Sequence, residues 1–273
     1  MRIAIVGPDN THADHAVRHF NAEQALGDAR VTALCGGDAE RAERLGIAWT
    51  AARPEELIGH IDAAIVMDRD GALHRRHAEP LLKAGIPVLV DKPLATTVAD
   101  AEAILAAASA GGAAVTSFSA LRWTVDGLRP RLAGLGEPRA VTATGPVQRT
   151  SPYGGVGFYG IHPVEMALHL LPVPSAEPVV SVLPGAVLVT LTAGDAHAVV
   201  NLVERDAATA VPFHLAVVGT SGVFAEVVTP AKDYTLPALR HFAEMVRTGV
   251  PPLGEEELLA PVRVLEAVTR AVG

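Results

Sequence analysis

The chain has 273 residues, 49% of them hydrophobic, and carries 22 Lys and Arg against 30 Asp and Glu for a formal charge of −8. That apolar share is enough to build a core, and the acidic balance excludes the broad basic surface on which general nucleic-acid or anionic-membrane binding rests. A single cysteine, Cys35, excludes an intramolecular disulfide framework and a cysteine-rich zinc site, and makes the reducing cytoplasm the expected compartment. The opening apolar run stops at Gly7-Pro8, too short for a secretory leader. No window approaches the roughly 20 apolar residues of a membrane helix.

Over the first 120 residues, short apolar runs alternate with helix-like segments. Strands are predicted at Arg2 to Val6, Val31 to Cys35, Ala63 to Met67, Pro87 to Val90 and Ala113 to Ser117. Between them, helices are predicted at Ala13 to Asn21, Asp38 to Leu45, His74 to Ala84 and Thr97 to Ala108. Alternation of this kind implies βαβ units on a parallel sheet covered on both faces. After residue 120 the rhythm changes. Strands are predicted at Val141 to Gly145, Val179 to Leu183, Ala186 to Thr192, His197 to Val203, Phe213 to Gly219 and Val223 to Val228, several separated only by turns. Helices are predicted at Pro163 to Leu171, Pro237 to Thr248 and Glu255 to Val272. The expected fold class is α/β. A Rossmann-like, doubly wound parallel sheet spans 1–120, and an α+β domain with an open, mostly antiparallel sheet spans 121–273, its last helix able to pack back on the first domain.

Two places at the strand ends carry chemistry. The first strand runs into Gly7-Pro8-Asp9-Asn10-Thr11-His12, where a dinucleotide fold places a glycine-rich turn. Gly7 matches the first glycine of that pattern, while Asp9 and His12 occupy the other two. Gly7, Asn10, Thr11 and His12 are the candidate phosphate contacts; the alternative is a turn that binds no nucleotide. An acid is expected after the second strand to hold a ribose, and Asp38 serves either there or, more simply, as the cap of the next helix. No Arg directly follows that strand, so NAD and NADP are equally open, with Arg41 the nearest cation. Further on, Asp91-Lys92-Pro93 ends an apolar strand at the sheet edge where ligands bind. A lysine there either pairs with a carboxylate or hydrogen-bonds a substrate hydroxyl and helps move its proton.

From these residues onward the chain resembles the Gfo/Idh/MocA oxidoreductases. The Asp91-Lys92-Pro93-Leu94-Ala95 run is similar to that family's acid–Lys–Pro triplet. His74 matches its histidine after the third strand, Arg122-Trp123 its Arg–aromatic pair, and Gly160-Ile161-His162-Pro163-Val164-Glu165 its Gly-x-His-x-x-acid segment. The resemblance implies an NAD or NADP cofactor and hydride transfer at a hydroxyl-bearing carbon of a sugar, polyol or related small molecule. It places Lys92 and His162 beside the reacting hydroxyl. Tyr159 joins them as a hydrogen-bonding group, Arg122, Trp123 and Glu165 shape a substrate pocket, and Asp91 and His74 lie on the cofactor side. It also implies a homodimer or larger homo-oligomer paired through the second sheet.

Three departures qualify this. Phe158 stands where the family often has an acid four residues before the histidine, and the third turn is Asp68-Arg69-Asp70-Gly71 instead of Thr-Pro. Asp68 and Arg69 are read either as cofactor contacts or as a surface salt-bridged turn. With its altered glycine turn the chain resembles a divergent branch of the family. A rival reading gives His162, Glu165 and His169 a metal on one helix face, though no metal is expected. Another keeps the fold but makes the chemistry elimination, hydrolysis or epimerisation, or reduces the chain to a ligand-binding module. The pairs His12/His15 and His74/His77, lacking an acid at fixed spacing, are read as ordinary turn and helix residues.

Overall fold

A computed structural model describes residues 1–206 and 210–273, and the chain divides into two compact units. The first is residues 1–95, 99–118 and 235–255; the second is 96–98, 119–234 and 256–273. The first opens with β1 (Arg2–Val6), α1 (Thr11–Val17), β2 (Arg30–Cys35), α2 (Ala39–Leu45), β3 (Trp49–Ala51) and β4 (Ala63–Val66). It continues with α3 (His74–Lys83), β5 (Val88–Val90), α4 (Val98–Gly111) and β6 (Val115–Ser117). All six strands are parallel in the order β3-β2-β1-β4-β5-β6. The chain winds outward one way from β1 and then restarts at β4 on its other side. The neighbouring ends of β1 and β4 are therefore the switch point at which an α/β sheet opens a crevice. Ile3 to Val6, Ala63 to Val66 and Val88 to Val90 are buried throughout, as strands covered on both faces must be.

The second unit begins with α5 (Ala120–Asp126), α6 (Arg129–Leu132), β7 (Pro138–Val147), α7 (Gly157–Leu168) and β8 (Val179–Leu183). There follow β9 (Ala186–Ala193), β10 (Ala196–Glu204), β11 (Phe213–Gly219) and β12 (Val223–Val228). Its sheet has the order β12-β11-β7-β10-β9-β8, with β7 and β10 parallel and every other pair antiparallel. Burial alternates along β9 and β10, so one face packs and the other does not. The packed face meets Ile161, Val164, Met166 and Ala167 of α7 in one core. Two helices close the chain, α8 (Leu236–Thr248) and α9 (Glu255–Val272). It is α8 that groups with the first unit, while nearly all of α9 groups with the second, where Val264, Leu265 and Val268 join its core.

Three local expectations change. The strand Trp49-Thr50-Ala51 is too short to show a period and was not expected; it extends the parallel sheet at one edge. The first helix ends its α-helical part at Val17 and widens into a π-type turn over Arg18–Ala22. Most consequential is α7, which starts at Gly157, so Pro163 lies inside it and does not open it. Its glycines disfavour helix, but packing overrides them. A Cβ on Gly145 of β7 would fall 3.0 Å from the Pro163 ring, which shows how closely helix and strand approach.

Candidate functional site

The turn after β1 is held by side chains. Gly7 has φ +71°, and a Cβ there would lie 2.8 Å from the Asp68 Cα, so only glycine fits. Asn10 caps α1 by accepting from the Ala13 N–H at 3.1 Å, and its amide donates to the carbonyls of Gly7 and, at short range, Met67. Thr11 is exposed at the helix start. Arg41 of α2, 7% exposed, donates to the Pro8 carbonyl at 2.9 Å and the Asn10 carbonyl at 2.8 Å. The same guanidinium grips both oxygens of Asp14 at 2.7 and 2.9 Å and holds that carboxyl below its ordinary value. Arg41 is thus committed to the turn. Asp38 does what a cap does, accepting from the Arg41 N–H at 2.7 Å.

The ends of β4 and β5 bring together most of the other residues singled out in the first unit. His74 is fully buried, with Nδ1 2.8 Å from the Pro93 carbonyl and Nε2 2.9 Å from the Asp68 carbonyl, so it staples two turns. Asp68 pairs with His77 Nδ1 at 2.8 Å, and Asp91 pairs with His12 Nδ1 at 2.9 Å. These pairings supply His12 and His77 with partners that their sequence spacing does not show. Each does have an acidic partner, brought in by a strand end and not by sequence spacing. Burial is the strongest influence on the Asp91 carboxyl and pushes it up; His12, Lys92 and His74 outweigh it and hold the group below the carboxylate range. Lys92, half-buried, follows directly, while Arg69 is exposed on the turn.

Beside the switch point lies a cavity of about 220 Å³, lined by Gly7, Gly36, Gly37, Arg53, Asp68 and Arg76 among others. Cys35 also lines it, but burial, with Asp68, Glu56 and Glu55 adding, pushes its thiol up to about 11, so it is no nucleophile at neutral pH. A Cβ on Gly37 would lie 2.8 Å from the Pro8 ring, so this side of the cavity is bare backbone by necessity. Backbone turns at a switch point with two arginines fit a dinucleotide, even though the Asp9, Glu55 and Asp68 carboxylates share the lining.

In the second unit, His162 Nδ1 lies 2.7 Å from the Ser119 hydroxyl, and its ring stands edge-on to Phe213. Glu165, 4% exposed, accepts from the Ser119 N–H at 3.0 Å; its other oxygen is 3.9 Å from an Arg122 nitrogen. Burial pushes this carboxyl up to about 7, against the opposing pull of Arg122 and the Ser119 N–H. Arg122 in turn donates to Glu257 at 2.9 Å. Trp123 packs edge-on against His169, and His169 Nε2 meets Asp126 at 2.7 Å. Among the described residues, no three His, Cys, Asp or Glu side chains form a metal-binding group. Tyr159 accepts at its hydroxyl from Arg205 at 2.8 Å. Sequence reasoning missed Arg205, Ser119 and Glu257, because none belongs to a recognisable spacing.

Residues 1–118 match the model of the Gfo/Idh/MocA family, described as an oxidoreductase family with an NAD-binding Rossmann fold. The match covers the first 118 of the 273 residues. Inositol 2-dehydrogenase of Rhodococcus erythropolis is 34% identical over 117 residues, 41% of this chain and 33% of the relative. The chain thus spans about a third of the length of the curated relatives it matches. Two solved structures share the fold over essentially the whole chain. Myo-inositol 2-dehydrogenase from Lactobacillus plantarum has a TM-score of 0.78 at 15% identity, covering 100% of this chain and 98% of its own. An Agrobacterium radiobacter oxidoreductase in complex with NAD+, L-tartaric acid and magnesium has 0.78 at 16%, covering 99% and 96%. In Gfo/Idh/MocA terms, the altered glycine turn here is one braced by Arg41.

Two predictions follow from the bracing and from the buried acid. Arg41→Ala strands the Pro8 and Asn10 carbonyls and lowers stability by about 1–3 kcal/mol in urea denaturation. Arg41→Lys recovers little, because an ammonium cannot serve two carbonyls and a carboxylate fork together; full recovery would contradict the bracing role. For Glu165, the folded state holds more protons than the unfolded between the ordinary value of 4.5 and about 7. Stability contributed by the protonated form is therefore lost as pH rises through that window. The melting temperature of Glu165→Gln should pull ahead of the parent between pH 5 and pH 8; parallel curves would count against the raised carboxyl.

Proposed function

We propose that this chain is an NAD(P)-dependent dehydrogenase or reductase that moves a hydride to or from a hydroxyl-bearing carbon of a small polyol or sugar. The observation that carries this is the Asp91-Lys92-Pro93 run at the end of β5, in the same family-matched Rossmann unit as the crevice beside β1 and β4. The polyol preference is supported by the names of the relatives, inositol 2-dehydrogenases and a D-apiose dehydrogenase. Gly7, Asn10 and Thr11 would hold the phosphates, and Gly36, Gly37, Arg53 and Arg76 the adenosine side. When bound, the nicotinamide accepts or donates the hydride. The chain's own residues handle the proton that accompanies it. Oxidation of an alcohol removes the hydroxyl proton as hydride leaves the carbon, and Lys92 and His162 are the groups assigned to that oxygen. Arg122, Trp123, Tyr159 and Glu165 shape the substrate side.

A second reading has one observation in its favour. The Asp68 carboxylate lies against Gly7, and Asp9 lines the same cavity, so negative charge stands where a diphosphate would approach. A chain that keeps a ligand without net redox turnover, or binds ligand alone, fits that feature. Calorimetric titration with NADH and with NADPH, after removal of any co-purified nucleotide, tests both. Micromolar binding of one, followed by turnover of a polyol with release of reduced cofactor, is expected, and Lys92→Ala should cut that turnover by about 100-fold with folding intact. No binding of either nucleotide would overturn the redox reading and favour the second.

No helix of the described residues is long and apolar enough to cross a membrane. We place the protein in the cytoplasm, acting on a small molecule with no nucleic-acid or membrane partner. We also assign it a homodimer or larger homo-oligomer. Val179, Val182, Leu183, Val223 and Val227 are exposed along the two edge strands of the second sheet, β8 and β12, an apolar surface that association would cover. Light scattering at micromolar concentration should give at least twice the chain mass; a single-chain mass would refute the assignment.

A further inference from the structure

The second unit contains a hydroxyl whose hydrogen-bonding arithmetic decides which nitrogen of His162 carries its hydrogen. Ser119 is fully buried at the start of α5, where it caps the helix by accepting the Leu121 N–H at 3.1 Å. Its hydroxyl also lies 2.7 Å from His162 Nδ1. One lone pair of the oxygen is committed to the cap. The hydroxyl hydrogen then needs an acceptor, since leaving it unpaired in the interior carries the cost of an unsatisfied donor. The hydrogen bond identified for it is the one to Nδ1. Glu165 meets Ser119 through the backbone N–H, and the nearby Arg122 guanidinium offers only donors.

We propose that Ser119 is a positioning residue that donates to His162 Nδ1 and so fixes the neutral ring as the Nε2–H tautomer. Resting on the reading of His162 as a group that meets the substrate oxygen, this makes His162 a hydrogen-bond donor to that oxygen. A ring already protonated at Nε2 cannot take a proton there. In the oxidation direction, taking up the hydroxyl proton is therefore not the role of His162. His162 holds the oxygen throughout by a hydrogen bond that strengthens as charge builds on it. The T-shaped contact with Phe213 and the capped Ser119 leave the imidazole little freedom to turn over and exchange its two nitrogens.

The test reads the tautomer directly. Two-bond 15N–1H correlation spectra of the 15N-labelled full chain without ligand, at a pH above 8 where an ordinary imidazole is neutral, are assigned by comparison with His162→Asn. The expected pattern is Nε2–H for His162. Ser119→Ala and the near-isosteric Ser119→Cys should shift it toward a mixture, and Ser119→Thr, which keeps the hydroxyl, should restore it. Turnover should fall roughly tenfold or more in the Ala and Cys variants and recover in Thr. An Nδ1–H pattern in the parent, or an unchanged pattern in Ser119→Ala, overturns the proposal. Because the spectra need no cofactor or substrate, they decide it even if no polyol is turned over, in which case the dehydrogenase reading fails alone. Should Ser119→Ala not fold, the parent spectrum and the Thr variant still settle the tautomer.

Discussion

Arg41 reaches from α2 to the turn after β1, and the ligand-facing edge of the parallel sheet is arranged around that reach. A turn in this position faces opposing demands. Its backbone must stay open toward a ligand, yet its conformation must be fixed before the ligand arrives. Glycines meet the first demand and leave the second to the surroundings. Here a planar guanidinium supplies the second, taking the Pro8 carbonyl with Nε, the Asn10 carbonyl with Nη2 and the Asp14 carboxylate with Nη1 and Nη2. Because Asp14 lies on α1, the grip also sets the angle at which that helix leaves the turn.

From this point the order spreads along the sheet. Asn10 ties the turn to the end of β4 through Met67, which brings Asp68 down onto Gly7. His74 ties the end of β4 to the turn after β5, and His12 returns from α1 to Asp91. Three successive strand ends are thus laced by polar side chains where apolar packing stops. The lacing carries charge as well as geometry. The two carboxylates at this edge that are withdrawn from solvent, Asp68 and Asp91, each have an imidazole hydrogen-bonded against them.

Much of the architecture was legible in the sequence because its signals are local. Four consecutive buried residues in Ala63 to Val66 announce a strand covered on both faces, and alternation in Ala186 to Ala193 announces one covered on a single face. Lys92 was legible because a charged residue at the end of an apolar run is costly without a purpose. The start of α7 was hidden, since a helix that owes its existence to packing looks like a glycine-rich loop until its partner is present. The contacts that finish the site were hidden for a simpler reason. Arg41 and Pro8 are 33 positions apart, Ser119 and His162 are 43, and His12 and Asp91 are 79. No periodicity spans such distances. The residue types alone, a serine before a short helix or an arginine inside one, are common everywhere.

The burial of Cys35 has a practical corollary. It is the sole thiol among the 273 residues, sits buried at the C-terminal end of β2, and keeps its proton far above neutral pH. Maleimides and disulfide reagents attack the thiolate, so the native chain is close to silent toward them. A cysteine introduced on the surface of either unit would be the one fast-reacting site. Spin labels or paired fluorophores could then be placed without first deleting a residue from the sheet, and each unit could be followed separately in the otherwise unaltered protein.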